Sequence, residues 1–257
     1  MALEDDFCDI IRKARTGLGF EPAETAARAG IAALRLAALE AGQTPSAGEV
    51  ERLADALGLR ALPLRQIATF AAEPDEPEPL PDVAVTAVFA REVGAFAYAV
   101  RGPQGAFLVD CGGGVQELLG ALGGDAEGVL LTHGHHDHVG GLDSLPEGIP
   151  VYGHPLLCRT LPRARPLADG ERKFGLSCWY APGHSADMLA FVGDGLAFVG
   201  DTIFAGSLGR AAQGQYETLL RTARRILTLP AETVLHCGHG PRTTVGWERA
   251  HNAFPVA

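Results

Sequence analysis

Between residues 4 and 71 apolar side chains recur at helical spacing. Ala26, Ile31, Leu36, Leu39, Val50, Leu53 and Leu57 can all face one small core. Glycines at 17, 19, 30, 42 and 58 interrupt the pattern where helices would stop, and Pro22 suits a first helical turn. The spacing predicts helices over about 4–16, 22–29, 32–41, 46–57 and 62–71. Ser46 with Glu49 three residues on forms a capping box for the fourth of them.

The pattern changes after residue 82. Short runs rich in Val, Phe and Ala, broken by glycine, predict strands over 83–89, 95–100, 106–109, 128–131, 149–152, 178–180, 188–192, 196–199 and 233–236. Helical spacing returns over about 115–122 and 216–227. Strands alternating with helices predict an α/β layered domain over 83–257. Residues 73–82 separate the two patterns with four prolines and five acids, a composition that cannot bury a core. An all-α domain over 1–72, an extended acidic linker over 73–82 and an α/β domain over 83–257 are therefore expected.

Composition and charge narrow the function classes. With 257 residues, 47% apolar and 20% charged, the chain is a globular protein with ample core. A formal charge of −10 argues against general affinity for nucleic acid or anionic membrane. No long apolar run and no basic leader are visible, so a cytoplasmic protein without a membrane is expected. Cys8, Cys111, Cys158, Cys178 and Cys237 are scattered and odd in number, which points to free thiols.

The chemistry sits at Thr132-His-Gly-His-His-Asp-His-Val-Gly-Gly141, directly after an apolar strand. Neutral imidazole and carboxylate are preferred ligands of borderline divalent cations. Three more ligand-type residues stand beside glycine: His184 in Pro-Gly-His, Asp201 in Gly-Asp, and His239 in Gly-His-Gly. His133 and His135, two apart in extended chain, can both point inward. Asp137 and His138 are adjacent and are expected to diverge. One cation cannot take all four, so two neighbouring metals are expected, with the two oxygens of Asp201 as the bridge. Two ions about 3.5–4 Å apart can share a hydroxide and polarise a scissile carbonyl or phosphoryl group. Asp110, ending the run Phe107-Leu-Val, is a candidate to orient a ligand histidine or to cap the glycine turn beside it. His154, His236 and His251 lack glycine-rich settings and read as structural.

These motifs together resemble the metallo-β-lactamase superfamily over about residues 83–257. Gly200-Asp-Thr-Ile-Phe-Ala-Gly-Ser-Leu-Gly-Arg210 and Gly238-His-Gly-Pro-Arg-Thr-Thr-Val-Gly246 place the resemblance with its glyoxalase II-like hydrolases. The resemblance implies an αββα sandwich with the site along one edge. It implies His133, His135 and His184 for a first metal, Asp137, His138 and His239 for a second, and Asp201 between them. Asp137 and Asp201 are then the catalytic carboxylates, and His136 is no ligand. Zinc is the leading metal, with iron and manganese as alternatives, and Arg210 would hold an anionic part of a small-molecule substrate. Ala211-Ala-Gln-Gly214 and Ser185-Ala-Asp187 depart from the glyoxalase II pattern, and only 18 residues follow His239. The expected activity is hydrolysis of a small ester or thioester by a metal-bound hydroxide, with hydroxyacyl thioester hydrolysis as its nearest form. A mononuclear iron persulfide dioxygenase, which shares this ligand pattern, is the alternative enzyme.

Residues 7–70 resemble the Cro/phage-repressor helix-turn-helix through Ala29-Gly30-Ile31 and Glu40-Ala41-Gly42 between helices. The helix that would read DNA, Ala32–Glu40, offers one arginine, and residues 1–72 carry eight Lys/Arg against ten Asp/Glu, a net of −2. A DNA-binding regulator with a metal-containing sensor domain is thus the weaker reading. The outward Leu34 makes self-association as a homodimer the expected role.

Overall fold

The computed structural model describes residues 2–256, all but the two terminal ones. Five helices come first: α1 (Phe7–Gly17), α2 (Pro22–Arg28), α3 (Ala33–Glu40), α4 (Ala47–Leu57) and α5 (Ala61–Ala68). Capping sets where α1 and α4 begin. Asp6 and Asp9 form a capping box on α1, so residues 2–5 stay outside the helix. Ser46 and Glu49 do the same for α4, and Gly58 ends it in the left-handed region at φ 64°. Ile10, Ile11, Leu36, Leu39, Leu53 and Leu64 fill the centre of this bundle and are almost fully buried. Each such side chain contributes about 1.5–3 kcal/mol by leaving water.

The two cations of the α2–α3 motif are held in ion pairs, Arg28 with Glu24 and Arg35 with Glu49. The outward face of α3 is left to Ala33, Leu34 and Ala37. Leu34 is 87% exposed.

The remaining chain is a four-layer sandwich. One sheet has the order β1 (Ala84–Ala90), β2 (Ala95–Gly102), β3 (Gly105–Val109), β4 (Val129–Leu130), β5 (Val151–Gly153), β6 (Ala164–Pro166), antiparallel up to β3 and parallel beyond. The other contains β7 (Arg172–Lys173), β8 (Leu176–Tyr180), β9 (Leu189–Val192), β10 (Leu196–Gly200), β13 (Val234–Cys237) and β14 (Thr243–Thr244), in the order 14-13-10-9-8-7. A small hairpin, β11 (Ile203–Phe204) with β12 (Ser207–Leu208), leaves the end of β10.

Strand alternation decides what each face packs against. Phe96, Tyr98 and Val100 of β2 point between the sheets onto Phe191 and Phe198. Ala97 and Ala99 point outward, under α6 (Val115–Ala121). The outer face of the second sheet, with Ala190, Ala197 and Leu235, is covered by α8 (Tyr216–Ile226), α9 (Val245–His251) and the helical domain. All of that face belongs to one continuous apolar cluster with the five N-terminal helices.

The acidic segment 73–82 is extended, but it lies along the sandwich. Ala72 is buried, Leu80 packs against the intersheet core, and Glu76 pairs with Arg242.

Polar contacts tie the helical domain to the hairpin and to the residue that ends α9. Ser207 donates to Asp5 at 2.6 Å, Lys13 reaches Asp5 at 2.5 Å and donates to the Leu208 carbonyl at 2.9 Å, and Arg60 donates to the Asn252 carbonyl at 3.0 Å. Beneath them Glu248 is fully buried without a cation, accepting from Asn252 Nδ2 at 2.6 Å and from the Gly206 amide at 3.2 Å. Burial pushes its carboxyl from 4.5 up to about 8, against the pull of those donors. A carboxyl raised in the folded state contributes stability that is full below its unfolded value and lost as pH rises through the folded one. Stability should therefore decline between about pH 4.5 and 8, by on the order of a few kcal/mol. Glu248→Gln is expected to flatten that decline in chemical denaturation at several pH values; equal slopes in both proteins would refute this account.

Candidate metal centre

Five chain segments reach one end of the sandwich. Asp110 follows β3, Thr132–His138 follow β4, His184 follows β8, Asp201 follows β10 and His239 follows β13. The ligand atoms fall into two groups, His133 with His135 and His184, and Asp137 with His138, Asp201 and His239. Within each group they lie within 4.8 Å of one another.

In the first group His135 Nδ1 is 3.0 Å from His133 Nε2 and 2.9 Å from His184 Nε2. In the second, His239 Nε2 is 3.2 Å from Asp137 Oδ2. Asp201 lies between the groups. Its Oδ1 is 3.2 Å from His138 Nε2, and its Oδ2 is 3.5 Å from both His184 Nε2 and His239 Nε2.

Asp137 and His138 do not diverge as their adjacency suggested. They sit on a single helical turn, α7 (His136–Val139), and Asp137 Oδ2 comes within 3.8 Å of His138 Nε2. A turn of helix separates neighbouring side chains less than extended chain does, and the long imidazole covers the remaining gap. His136 on the same turn is exposed and belongs to neither group.

The ring protons are fixed from behind. His184 Nδ1 donates to the Arg210 carbonyl at 2.8 Å and His239 Nδ1 to the Gly94 carbonyl at 2.9 Å. His138 Nδ1 donates to Asp110 Oδ2 at 2.8 Å. Thr132 Oγ1 also donates to that carboxylate, at 2.8 Å, so it is free to accept from His133 Nδ1 at 3.1 Å. Acceptors at the Nδ1 of His133, His138, His184 and His239 leave their four Nε2 lone pairs aimed at the centre, while His135 turns its own Nδ1 inward. Lone pairs and carboxylates converging without a donor call for a cation. His138 Nε2 and Asp201 Oδ1 are both buried without a hydrogen-bond partner; their 3.2 Å approach is not along a bonding direction. The donor set fits two divalent ions.

Protonation follows the same layout. Burial pushes His133 and His184 below the usual imidazole range. Burial also opposes charge on His138, but the Asp110 and Asp201 carboxylates outweigh it and raise this histidine. For Asp201 burial is again opposed, and His138 and His239 hold it well below the carboxylate range.

Glycine makes the close packing possible. A Cβ at Gly112 would lie 1.6 Å from the Asp137 carbonyl oxygen, and one at Gly238 would lie 2.2 Å from Asp201 Oδ1. Beside the ligand turn a cleft of about 670 Å³ opens, lined by Glu92, Gly113 and His136 among others. A separate cavity of about 510 Å³ at Phe107, Arg172 and Phe174 lies at the opposite strand ends, away from this chemistry.

Other candidates are elsewhere or otherwise engaged. Arg210 is exposed and makes no ion pair among the described residues. His154 stacks on Tyr180, His236 lies against Phe198 and Tyr98, and His251 stacks on Trp247. Burial pushes the Cys111 thiol up to about 12 and raises Cys237 well above the usual thiol range, so neither offers a thiolate. Sequence reasoning missed Thr132, the Gly94 and Arg210 carbonyls, and Glu4, whose Oε1 is 3.9 Å from His239 Nδ1. Only Thr132, next to the first histidine, carried a signal.

Comparison with known proteins agrees with this arrangement. Residues 90–155 and 167–239 match the family model of the metallo-beta-lactamase superfamily, and residues 11–64 match that of a helix-turn-helix. A hydroxyacylglutathione hydrolase of Psychromonas ingrahamii is 37% identical over 120 residues, 44% of this chain and 47% of that protein. One from Aeromonas hydrophila is 32% identical over 153 residues, 56% of this chain and 60% of its own. The chain thus spans about half to three-fifths of the length of these curated relatives. The crystal structure of TTHA1623 in a di-iron-bound form superposes with a TM-score of 0.59 at 34% identity, covering 67% of this chain and 100% of that one.

Proposed function

Because the chain belongs to the metallo-beta-lactamase superfamily, we propose that it is a metal-dependent hydrolase of a small ester or thioester, hydroxyacyl thioesters being the nearest class. The observation that carries this reading is the pair of ligand groups sharing Asp201, with ring protons fixed outward so that lone pairs face inward. The relatives named hydroxyacylglutathione hydrolase support the thioester, and the nitrogen and oxygen donors suit zinc or iron. The di-iron form of TTHA1623 supports iron as the alternative to zinc.

Bound here, two divalent cations would supply Lewis-acid polarisation of the carbonyl and lower the pKa of water. The chain's own groups do the rest. Asp110 and the Gly94 and Arg210 carbonyls hold the imidazoles in one tautomer and orientation. The Asp137 side chain is 28% exposed against 7% for Asp201, so Asp137 is the carboxylate at the mouth, placed to accept a proton and return it to the leaving group. The unpaired Arg210 guanidinium is free to hold a carboxylate or other anion on the acyl part.

The test is a panel of hydroxyacyl thioesters and lactones followed by thiol or acid release, with oxygen uptake on a persulfide measured in parallel. Hydrolysis without oxygen uptake is expected. Oxygen uptake without hydrolysis would replace this reading with the dioxygenase.

A further inference from the structure

The hairpin β11–β12 and the residues beside it bear on three of the ligands. Asp201 precedes its first strand by two residues, and Arg210, whose carbonyl accepts from His184 Nδ1 at 2.8 Å, follows its second by two. Between them Gly209 presses on the ligand backbone: an added Cβ would stand 1.8 Å from the Asp201 carbonyl oxygen and 3.3 Å from His184 Nδ1. On β11 the Phe204 ring meets the His239 imidazole edge-on, with centroids 5.3 Å apart. Yet the ladder of this hairpin is only Ile203 with Leu208 and Phe204 with Ser207. A lone pair of strands is marginally stable at best, so its position is set by what packs on it.

What packs on it comes from the helical domain. Lys13 of α1 reaches both strands: its Nζ donates to the Leu208 carbonyl of β12 at 2.9 Å and stands 4.6 Å from the centre of the Phe204 ring of β11. Its third contact is Asp5 at 2.5 Å, and Asp5 in turn accepts from Ser207 Oγ at 2.6 Å. Lys13 and Asp5 are largely desolvated, which strengthens these charge-assisted bonds. Leu3 and Ile67 of α5 close on Gly206 at the hairpin turn. Arg15, two residues along the same helix, does the opposite. It pairs with Glu40 at 2.5 Å and donates to the Phe20 carbonyl at 3.1 Å, both inside the helical domain.

We propose that Lys13 is a positioning residue for the metal centre: from the helical domain it fixes the hairpin that orients His184 and His239, and so raises metal affinity. The inference rests on the metal-binding part of the proposed function. A carbonyl behind a ligand imidazole keeps the opposite lone pair on the ion, and loosening that partner weakens binding. Lys13 acts one contact further out, on the strand that leads to the Arg210 carbonyl and on the ring beside His239. A domain that only packed against the sandwich would change stability and leave affinity alone.

The full chain tests this with zinc, its Kd measured by competition with a chelator, and with cobalt(II), whose visible bands report ligand geometry. Lys13→Met keeps the apolar stem and removes the donors. It is expected to weaken zinc binding about tenfold, the lower end for losing a partner behind a ligand, and to shift the cobalt bands. Arg15→Met removes an ion pair of the same helix and should lower the melting temperature with zinc Kd and cobalt bands as in the wild type. Should Lys13→Met fail to fold, the double variant Asp5→Asn/Lys13→Met, which leaves no buried charge unpaired, carries the same readings. An unchanged zinc Kd or unchanged cobalt bands in the Lys13 variant overturn the proposal. Equal weakening in Arg15→Met, or a wild type that binds no zinc, does so as well. Because no substrate enters, a chain that binds zinc but cleaves no thioester refutes the hydrolytic reading alone.

Discussion

Asp201→Asn is expected to empty both halves of the metal centre and to lower hydrolysis by about 10²–10³-fold or more, the range for losing one dominant electrostatic group. Asp201 is the residue whose two oxygens approach both groups, at 3.2 Å from His138 and 3.5 Å from His184 and His239. Asparagine keeps the shape but loses the charge, and it aims amide hydrogens at one group of lone pairs. The defect should therefore appear as lost metal at both positions, not as lost folding. In the metal-free protein, against the cost of burial, His138 and His239 hold the ionised carboxylate well below its usual range, so removing its charge gives up a favourable pairing. Metal-free Asp201→Asn should melt somewhat below metal-free wild type while remaining folded. Loss of one metal with retention of the other would show that Asp201 serves a single group.

Asp110→Asn tests the layer behind the ligands. Asp110 accepts from the Thr132 amide at 2.7 Å, from Thr132 Oγ1 at 2.8 Å and from His138 Nδ1 at 2.8 Å. Through Thr132 it also sets the tautomer of His133, so one carboxylate orients a histidine in each group. Its backbone lies at φ 60°, which asparagine tolerates, so the substitution need not disturb the chain path. An amide cannot accept all three bonds and turns a donor toward a donor. Metal affinity should fall about 10–100-fold, the usual effect of losing such a partner, with activity recovering in excess metal. Competition with a chelator measures it, and an unchanged metal Kd would contradict the role assigned to Asp110.

The parts of this molecule legible in its sequence are those whose signal is local. Long periodic stretches such as Tyr216–Ile226 announce themselves, because Leu219, Leu220, Ala223 and Ile226 repeat on one face. Ser46 with Glu49, and Gly58 behind them, mark both ends of α4. The two- and three-residue strands β6, β7, β11, β12 and β14 were not legible, since a ladder that short is set by its neighbour and not by its own alternation. Helix α9 was missed for another reason: it buries Val245 and Glu248, and a glutamate on the inward face hides the stripe. The metal motif was readable because histidine and glycine cluster in sequence. What escaped was whatever depends on remote chain meeting there. Carbonyls at Gly94 and Arg210 carry no side-chain signal, and Glu4 lies 235 positions from the histidine it approaches. The docking of the helical domain was equally hidden, since its cause is an apolar sheet face shared with residues more than a hundred positions away.

Metal content of the purified full chain after repletion and removal of loose ions tests the central claim most directly. Two equivalents per chain, zinc or iron, are expected from two ligand groups joined by Asp201. A clean stoichiometry of one would contradict the dinuclear centre and the hydrolytic function built on it.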